Sequence, residues 1–136
     1  MPLTALVRQL QQVPLTGEVL ERSRRPDRLR LQGASRGARA LLASAMARCE
    51  GAPLLMVVPT LEEAGRWAAL LELMGWPTTQ LYPTSEGSPY EPFDPTSEII
   101  WGQLQVLSDL LGEADRSSWA IVATERCLQP HLPPPD

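Results

Sequence analysis

The sequence predicts an α/β fold: a parallel sheet of about four strands with flanking helices. Three observations carry this reading. Short apolar or alternating runs at 28–32, 53–58, 79–82 and 119–123 are separated by longer stretches with helical periodicity. Two of the runs, Pro53-Leu-Leu-Met-Val-Val58 and Trp119-Ala-Ile-Val-Ala123, are continuously apolar, the pattern of strands buried on both faces of a parallel sheet. Strands and helices alternate with short connectors, the order of a parallel sheet with right-handed crossovers. At 136 residues and 15.0 kDa the chain has the size of one domain, and 43% apolar with 21% charged residues is a globular composition.

The elements follow in order. Leu3, Leu6, Val7 and Leu10 give a short amphipathic helix, interrupted by Pro14 and Gly17; a second short helical piece follows through Val19 and Leu20. Arg22-Ser-Arg-Arg-Pro-Asp27 is a polar turn, so residues 1–27 read as a helical lead-in to a unit spanning 28–130. Arg28-Leu-Arg-Leu-Gln32 alternates with period two and predicts a short strand, with Leu29 and Leu31 inward. An alanine-rich helix runs from Ala38 to Cys49, closed by Gly51. After the strand at 53–58, Thr60 and Glu63 form a capping box, and Leu61, Ala64, Trp67, Ala68 and Leu71 make one apolar helix face ended by Gly75 and Pro77. Thr79-Gln-Leu-Tyr82 is a weak strand. Residues 83–95 hold four prolines and no period, an extended loop pinned by fixed φ. Asp94-Pro95 then starts a helix with Ile100, Leu104, Leu107 and Leu111 on one face. The strand at 119–123 leads to a last short helix capped by Thr124, and 131–136 is a proline-rich linker. Trp67 and Trp101 read as packing residues, and Trp76, beside Gly75 and Pro77, as a half-exposed contact. So small a sheet reads as part of a larger one, with an open edge prone to association.

Composition excludes several chemistries. All twelve basic residues are arginine, so no Schiff base and no standard lysine-bearing phosphate loop can form within the chain. Residues 1–50 carry nine arginines against four acids, +5; residues 51–136 carry three against twelve, −9. A basic first third suits phosphate or an acidic partner, with scattered solvated charge as the alternative. Cys49 and Cys127 belong to no CxxC pair and, with His131 alone among prolines, give too few soft ligands for zinc. Both read as reduced, buried or near-buried thiols, and His131 as a surface residue. No metal ligand and no catalytic residue is assigned. No run approaches the ~20 apolar residues of a membrane span, and Met1-Pro2-Leu3-Thr4 is no secretory leader; a cytoplasmic protein is expected.

Gly33-Ala-Ser-Arg-Gly-Ala-Arg39-Ala40 occupies the strand-to-helix position of a GxxxxGK[ST] phosphate loop. Ala38 stands for the second glycine, Arg39 for the lysine and Ala40 for the magnesium-holding hydroxyl. A planar guanidinium fork does not replace a compact ammonium in a tight cradle. The reading is a degenerate loop (Gly33, Ser35, Gly37, Arg39, Ala40) that binds no nucleotide cofactor, with residual anion affinity resting on the helix amides and dipole. The alternative is an ordinary Gly-rich turn.

The segment Tyr82-Pro-Thr-Ser-Glu86-Gly-Ser-Pro-Tyr90-Glu-Pro-Phe93-Asp-Pro95, followed by Glu98-Ile-Ile100, resembles a signature of bacterial transcription-repair coupling factors (Mfd). Tyr82, Pro83, Glu86, Pro89, Tyr90, Phe93 and Pro95 fall on the pattern. Val57-Val-Pro-Thr60-Leu-Glu-Glu-Ala64 and Ile121-Val-Ala-Thr124-Glu-Arg-Cys-Leu128 resemble the family in the same order, so the similarity covers about residues 28–133. Gln103 stands where the family's helix carries arginine. Of that family the chain matches the first half of the N-terminal UvrB-like domain, a partial RecA-like, P-loop NTPase-type fold with a degenerate nucleotide site.

The resemblance implies a non-catalytic structural and interaction module in transcription-coupled nucleotide excision repair. The family uses ATP and magnesium in a separate motor domain that translocates on DNA. Its partners would be the rest of the coupling-factor chain, with UvrA and RNA polymerase met mainly through segments outside these residues. The implied location is the bacterial cytoplasm, at the nucleoid when acting. Tyr90 and Phe93 read as core plugs rather than ligands. Two other functions compete: a small P-loop-type nucleotide-binding protein, opposed by the absence of lysine, and a weak DNA-binding module using Arg28, Arg30, Arg36 and Arg39, which lack interleaved aromatics for base stacking.

Overall fold

The computed structural model describes residues 3–26, 28–84, 97–112 and 116–128. Five helices and three strands follow one another there: α1 (Thr4–Gln11), α2 (Pro14–Ser23), α3 (Arg36–Glu50), β1 (Leu54–Val58), α4 (Leu61–Leu73), β2 (Thr78–Leu81), α5 (Ser97–Gly112) and β3 (Trp119–Thr124). Short 3-10 turns at Arg116–Ser118 and Glu125–Leu128 flank β3.

The sheet is parallel, in the order β1-β3-β2. Leu54 pairs with Ala120 and Val58 with Thr124, while Thr78 pairs with Trp119. The pleat then sorts the side chains. Leu54, Met56, Val58, Ala120 and Val122 face one way and meet Val7, Ala40, Ala45, Ala64, Trp67 and Leu71 from α1, α3 and α4. Thr78, Gln80 and Trp119 face the other way, toward Ser108, Asp109 and Gly112 of α5. A chain that moves outward from β1 to β2 and returns to β3 leaves α4 and α5 on opposite faces, as the right-handed crossover rule demands.

Local chemistry explains the helix boundaries. Ser35 caps α3, its Oγ accepting from the Ala38 amide at 3.2 Å, and Gly51 closes it at φ 60°. Thr60 caps α4 through the Glu63 amide. Gly75 ends α4 at φ 83°, and a Cβ there would lie 2.2 Å from Thr4 Oγ1, so both the dihedral and the close approach of α1 require glycine. Pro14 does not merely break the first helix; it opens α2 as its first residue, where its fixed φ fits. The lead-in is fastened to the rest: Val7 is fully buried, and the Leu3 amide donates to Leu73 O at 2.6 Å.

Several expectations are corrected. The sheet has three strands, because 28–32 is irregular and exposed. Ordering its five residues costs about 1–2 kcal/mol each, whereas burying Leu29 and Leu31 contributes about 1.5–3 kcal/mol each. Without a ladder partner and with arginines between the leucines, the balance fails. β1 is an edge strand buried on one face only, with Leu55 58% and Val57 40% exposed. The 100/104/107/111 face of α5 points to solvent and Trp101 is 69% exposed, while Val106 is buried. Trp76 is buried and donates Nε1–H to Ser44 Oγ at 2.8 Å, so it is a core residue. Cys49 is exposed and Cys127 half-buried, both as free thiols. The Asp94-Pro95 helix start lies outside the described residues.

Among the described residues one buried polar side-chain atom has no partner, the hydroxyl of Thr79. Thr79→Val removes that desolvated group while keeping the branched shape, and should stabilise the fold by about 1 kcal/mol; urea unfolding followed by circular dichroism checks this.

Candidate functional site

The carboxyl ends of the strands are where ligands sit in open α/β sheets. Here that edge gathers the starts of α3 and α4, Tyr82-Pro83 after β2, and Glu125–Leu128 after β3. The α3 start contains residues 33–40, the stretch read as a degenerate phosphate loop, but no strand leads into it, so the expected strand–loop–helix is not formed. Gly33 takes φ 73°, Ser35 is extended, and helix begins already at Arg36, so Gly37 and Ala38 are helical rather than part of an open cradle. Ser35 Oγ occupies the Ala38 amide, and the Arg39 amide donates to Ser35 O at 3.0 Å. Two amides that a phosphate would use are thereby engaged by the chain's own cap.

Each position of the loop has a visible fate. Ala40, in place of the magnesium-holding hydroxyl, is fully buried in the core formed with α4 and the sheet. Arg36 pairs with Glu63 at 2.6 Å, binding the first turn of α3 to that of α4. Glu63 thus uses its carboxylate on Arg36 while its own amide donates to Thr60, a variation on the expected capping box. Glu62 and Glu63 also make the first turn of α4 acidic, and Arg66 pairs with both. Negative charge at a helix start opposes a second anion there. Arg28, Arg30 and Arg39 are exposed, and none forms an ion pair among the described residues.

The signature segment is described only at its beginning. The Tyr82 amide donates to Val122 O at 2.8 Å, continuing the β2 ladder, and Tyr82 O lies 3.9 Å from Cys127 Sγ. Pro83 is held from α5. Gln103 Nε2 donates to Pro83 O at 2.9 Å, and Gly102 admits the ring so closely that a Cβ would stand 2.8 Å from Pro83 Cγ. Glu86, Pro89, Tyr90, Phe93 and Pro95 lie outside the described residues. Sequence reasoning marked Gln103 only as a departure from a pattern; its hydrogen bond to Pro83 depends on where α5 crosses the sheet, which no local signal reveals.

A second polar cluster escaped sequence reasoning altogether. Arg48 donates to Gly75 O at 2.7 Å, satisfying a carbonyl at the α4 terminus, and its guanidinium lies 5.5 Å from the Trp76 ring centroid. Burial, with the charge of Arg8 as a smaller cause, lowers its pKa, yet an arginine stays protonated. The cluster fastens α3 to the end of α4 and is structural. An open cleft of about 490 Å³ lies between α5 and the beginnings of β2 and β3, lined by Thr78, Gln80, Ser108, Asp109, Gly112 and Trp119. It sits at the amino ends of the strands, and Asp109 already accepts from Gln105 at 2.7 Å. Among the described residues no three His, Cys, Asp or Glu side chains approach in a metal-binding group, and no helix is long and apolar enough to cross a membrane.

Neither a protein-family model nor a curated protein sequence matches the chain.

The buried position of Ala40 gives a test of the loop geometry. Ala40→Thr inserts a larger polar side chain into packed core and should destabilise by about 1–3 kcal/mol. Arg39→Lys, at a solvent-facing site, should stay within ~0.5 kcal/mol of the parent. Comparable unfolding midpoints for the two variants would show that Ala40 faces open space.

Proposed function

We propose that this chain is a non-catalytic structural and interaction module, the first half of the UvrB-like domain of a transcription-repair coupling factor. Its fold would be a partial P-loop, RecA-like sheet whose nucleotide site is degenerate. The observation that carries the reading is the state of the loop at 33–40. A self-capped helix start with no lysine, and with alanine buried at the metal-ligand position, supports an architectural role over turnover. The resemblance of residues 82–95 to the family's signature supports the choice of family.

The module's working surface would be β1. Its outer edge pairs with no described strand, and Leu55 and Val57 face solvent beside it. Such an edge takes another strand readily. In this reading the second half of the same UvrB-like domain completes the sheet there, while UvrA and RNA polymerase are met through other segments. Mixing the chain with a purified second half-domain of a bacterial coupling factor should give a co-eluting complex, lost in Leu55→Glu/Val57→Glu. Separate elution of the two parents would remove the reading.

Nucleotide binding is the competing function. A fluorescent ATP analogue with magnesium should show no saturable binding at micromolar protein. Arg39→Lys/Ala40→Thr should not hydrolyse ATP even in the fraction that folds; measurable turnover, or tight analogue binding by the parent, would favour an enzyme. A second reading rests on Arg28, Arg30 and Arg39, which are exposed and form no ion pair among the described residues. Three phosphate contacts give a log-log salt slope of about −2.7 and only non-specific affinity. Duplex retention at physiological salt should therefore be weak, with a Kd above about 10 μM, and sub-micromolar binding would promote the nucleic-acid function.

A further inference from the structure

We infer that α5 is a self-association surface, and that its occupant is a second copy of this chain, stripe against stripe about a two-fold axis. Ile100, Leu104, Leu107 and Leu111 are spaced 4-3-4 along the helix, and all four are exposed, Leu111 at 78%. Trp101 extends the same surface. This spacing matches knobs of one helix to holes of another, and a strand or an extended peptide does not reproduce it.

The helix is held in this rotation by its contacts on the other side. Gln103 donates to Pro83 O, Gly102 abuts the Pro83 ring, and Val106 is buried. The inward side carries Val106 with half-buried Ile99 and Leu110 beside Gly102 and Gln103, and a second apolar stripe, 100/104/107/111, is left outward.

Charge and area point to a like partner. In the coiled-coil frame, Trp101, Gln103, Ser108 and Leu110 occupy the flanking positions, and none is ionisable. No like-charge repulsion opposes a self-pair, and no charge selects a different partner. Taking on the order of 200 Å² for a large side chain, the five residues expose about 550 Å². A two-fold contact would remove up to about 1,100 Å² in total, just above the roughly 1,000 Å² a biological interface should clear and in the range of a weak, reversible one. An isologous dimer of micromolar affinity is expected.

Sedimentation velocity of the full chain between about 1 and 200 μM should show a monomer–dimer equilibrium. Leu104→Glu/Leu107→Glu should be monomeric throughout, and the milder Leu104→Gln/Leu107→Gln should weaken the dimer at least tenfold, both with parental circular dichroism. Trp101 is exposed while Trp67, Trp76 and Trp119 are buried, so parental tryptophan emission should shift to the blue on concentration and the variants' should not. A parent that stays monomeric at 200 μM overturns the inference. So does a dimer that survives the α5 substitutions but is lost in Leu55→Glu/Val57→Glu, which would place association at the sheet edge. Because the proposed half-domain contact uses β1, either result stands independently of the co-elution outcome.

Discussion

Both ladders of the sheet run through β3. β1 and β2 share no hydrogen bond, and each is joined to the fold by pairing with residues 119–124. Leu54 pairs with Ala120, 66 positions away, so the sheet cannot close until nearly the whole described chain is present. Loop-closure entropy must be met before these contacts stabilise anything, which makes this pairing the slow, cooperative step of a parallel topology. The sequence of β3, Trp-Ala-Ile-Val-Ala-Thr, suits that position: small residues let helices approach from one side, and Trp119 fills the other.

Around that strand the two faces have unequal cover. Three helices close one face into a core, with Arg48, Ser44 and Trp76 fastening α3 to the end of α4 by charge-assisted and neutral hydrogen bonds. The other face has α5, held through Pro83 and Val106, and leaves Leu55 and Val57 open. This asymmetry links architecture to the proposed role. An interaction module needs surface that is ordered yet incompletely buried, and here the order comes from the closed face while the open face offers the contacts.

The Gly-rich turn before α3, which its sequence pattern likens to a phosphate loop, keeps its polar groups for the fold itself. Near the start of α3 the Ser35 hydroxyl and Arg36 are internal fasteners, one as a cap and one as the partner of Glu63. A helix that satisfies its own first-turn donors has less to offer a ligand. The dipole survives, but the acidic first turn of α4 opposes it at close range.

Residue pattern by itself determined the helix cap at Thr60, the glycine stops at 51 and 75, the apolar strands and the absence of lysine chemistry. These depend on contacts within a few residues or on composition, and they need no knowledge of the partner elements. It did not determine that 28–32 stays out of the sheet, that β1 is an edge, that Trp76 is buried, or that the apolar stripe of α5 faces water. Each of those depends on which surfaces other elements occupy. Periodicity says which residues share a face, but only packing across tens of residues decides whether that face is covered.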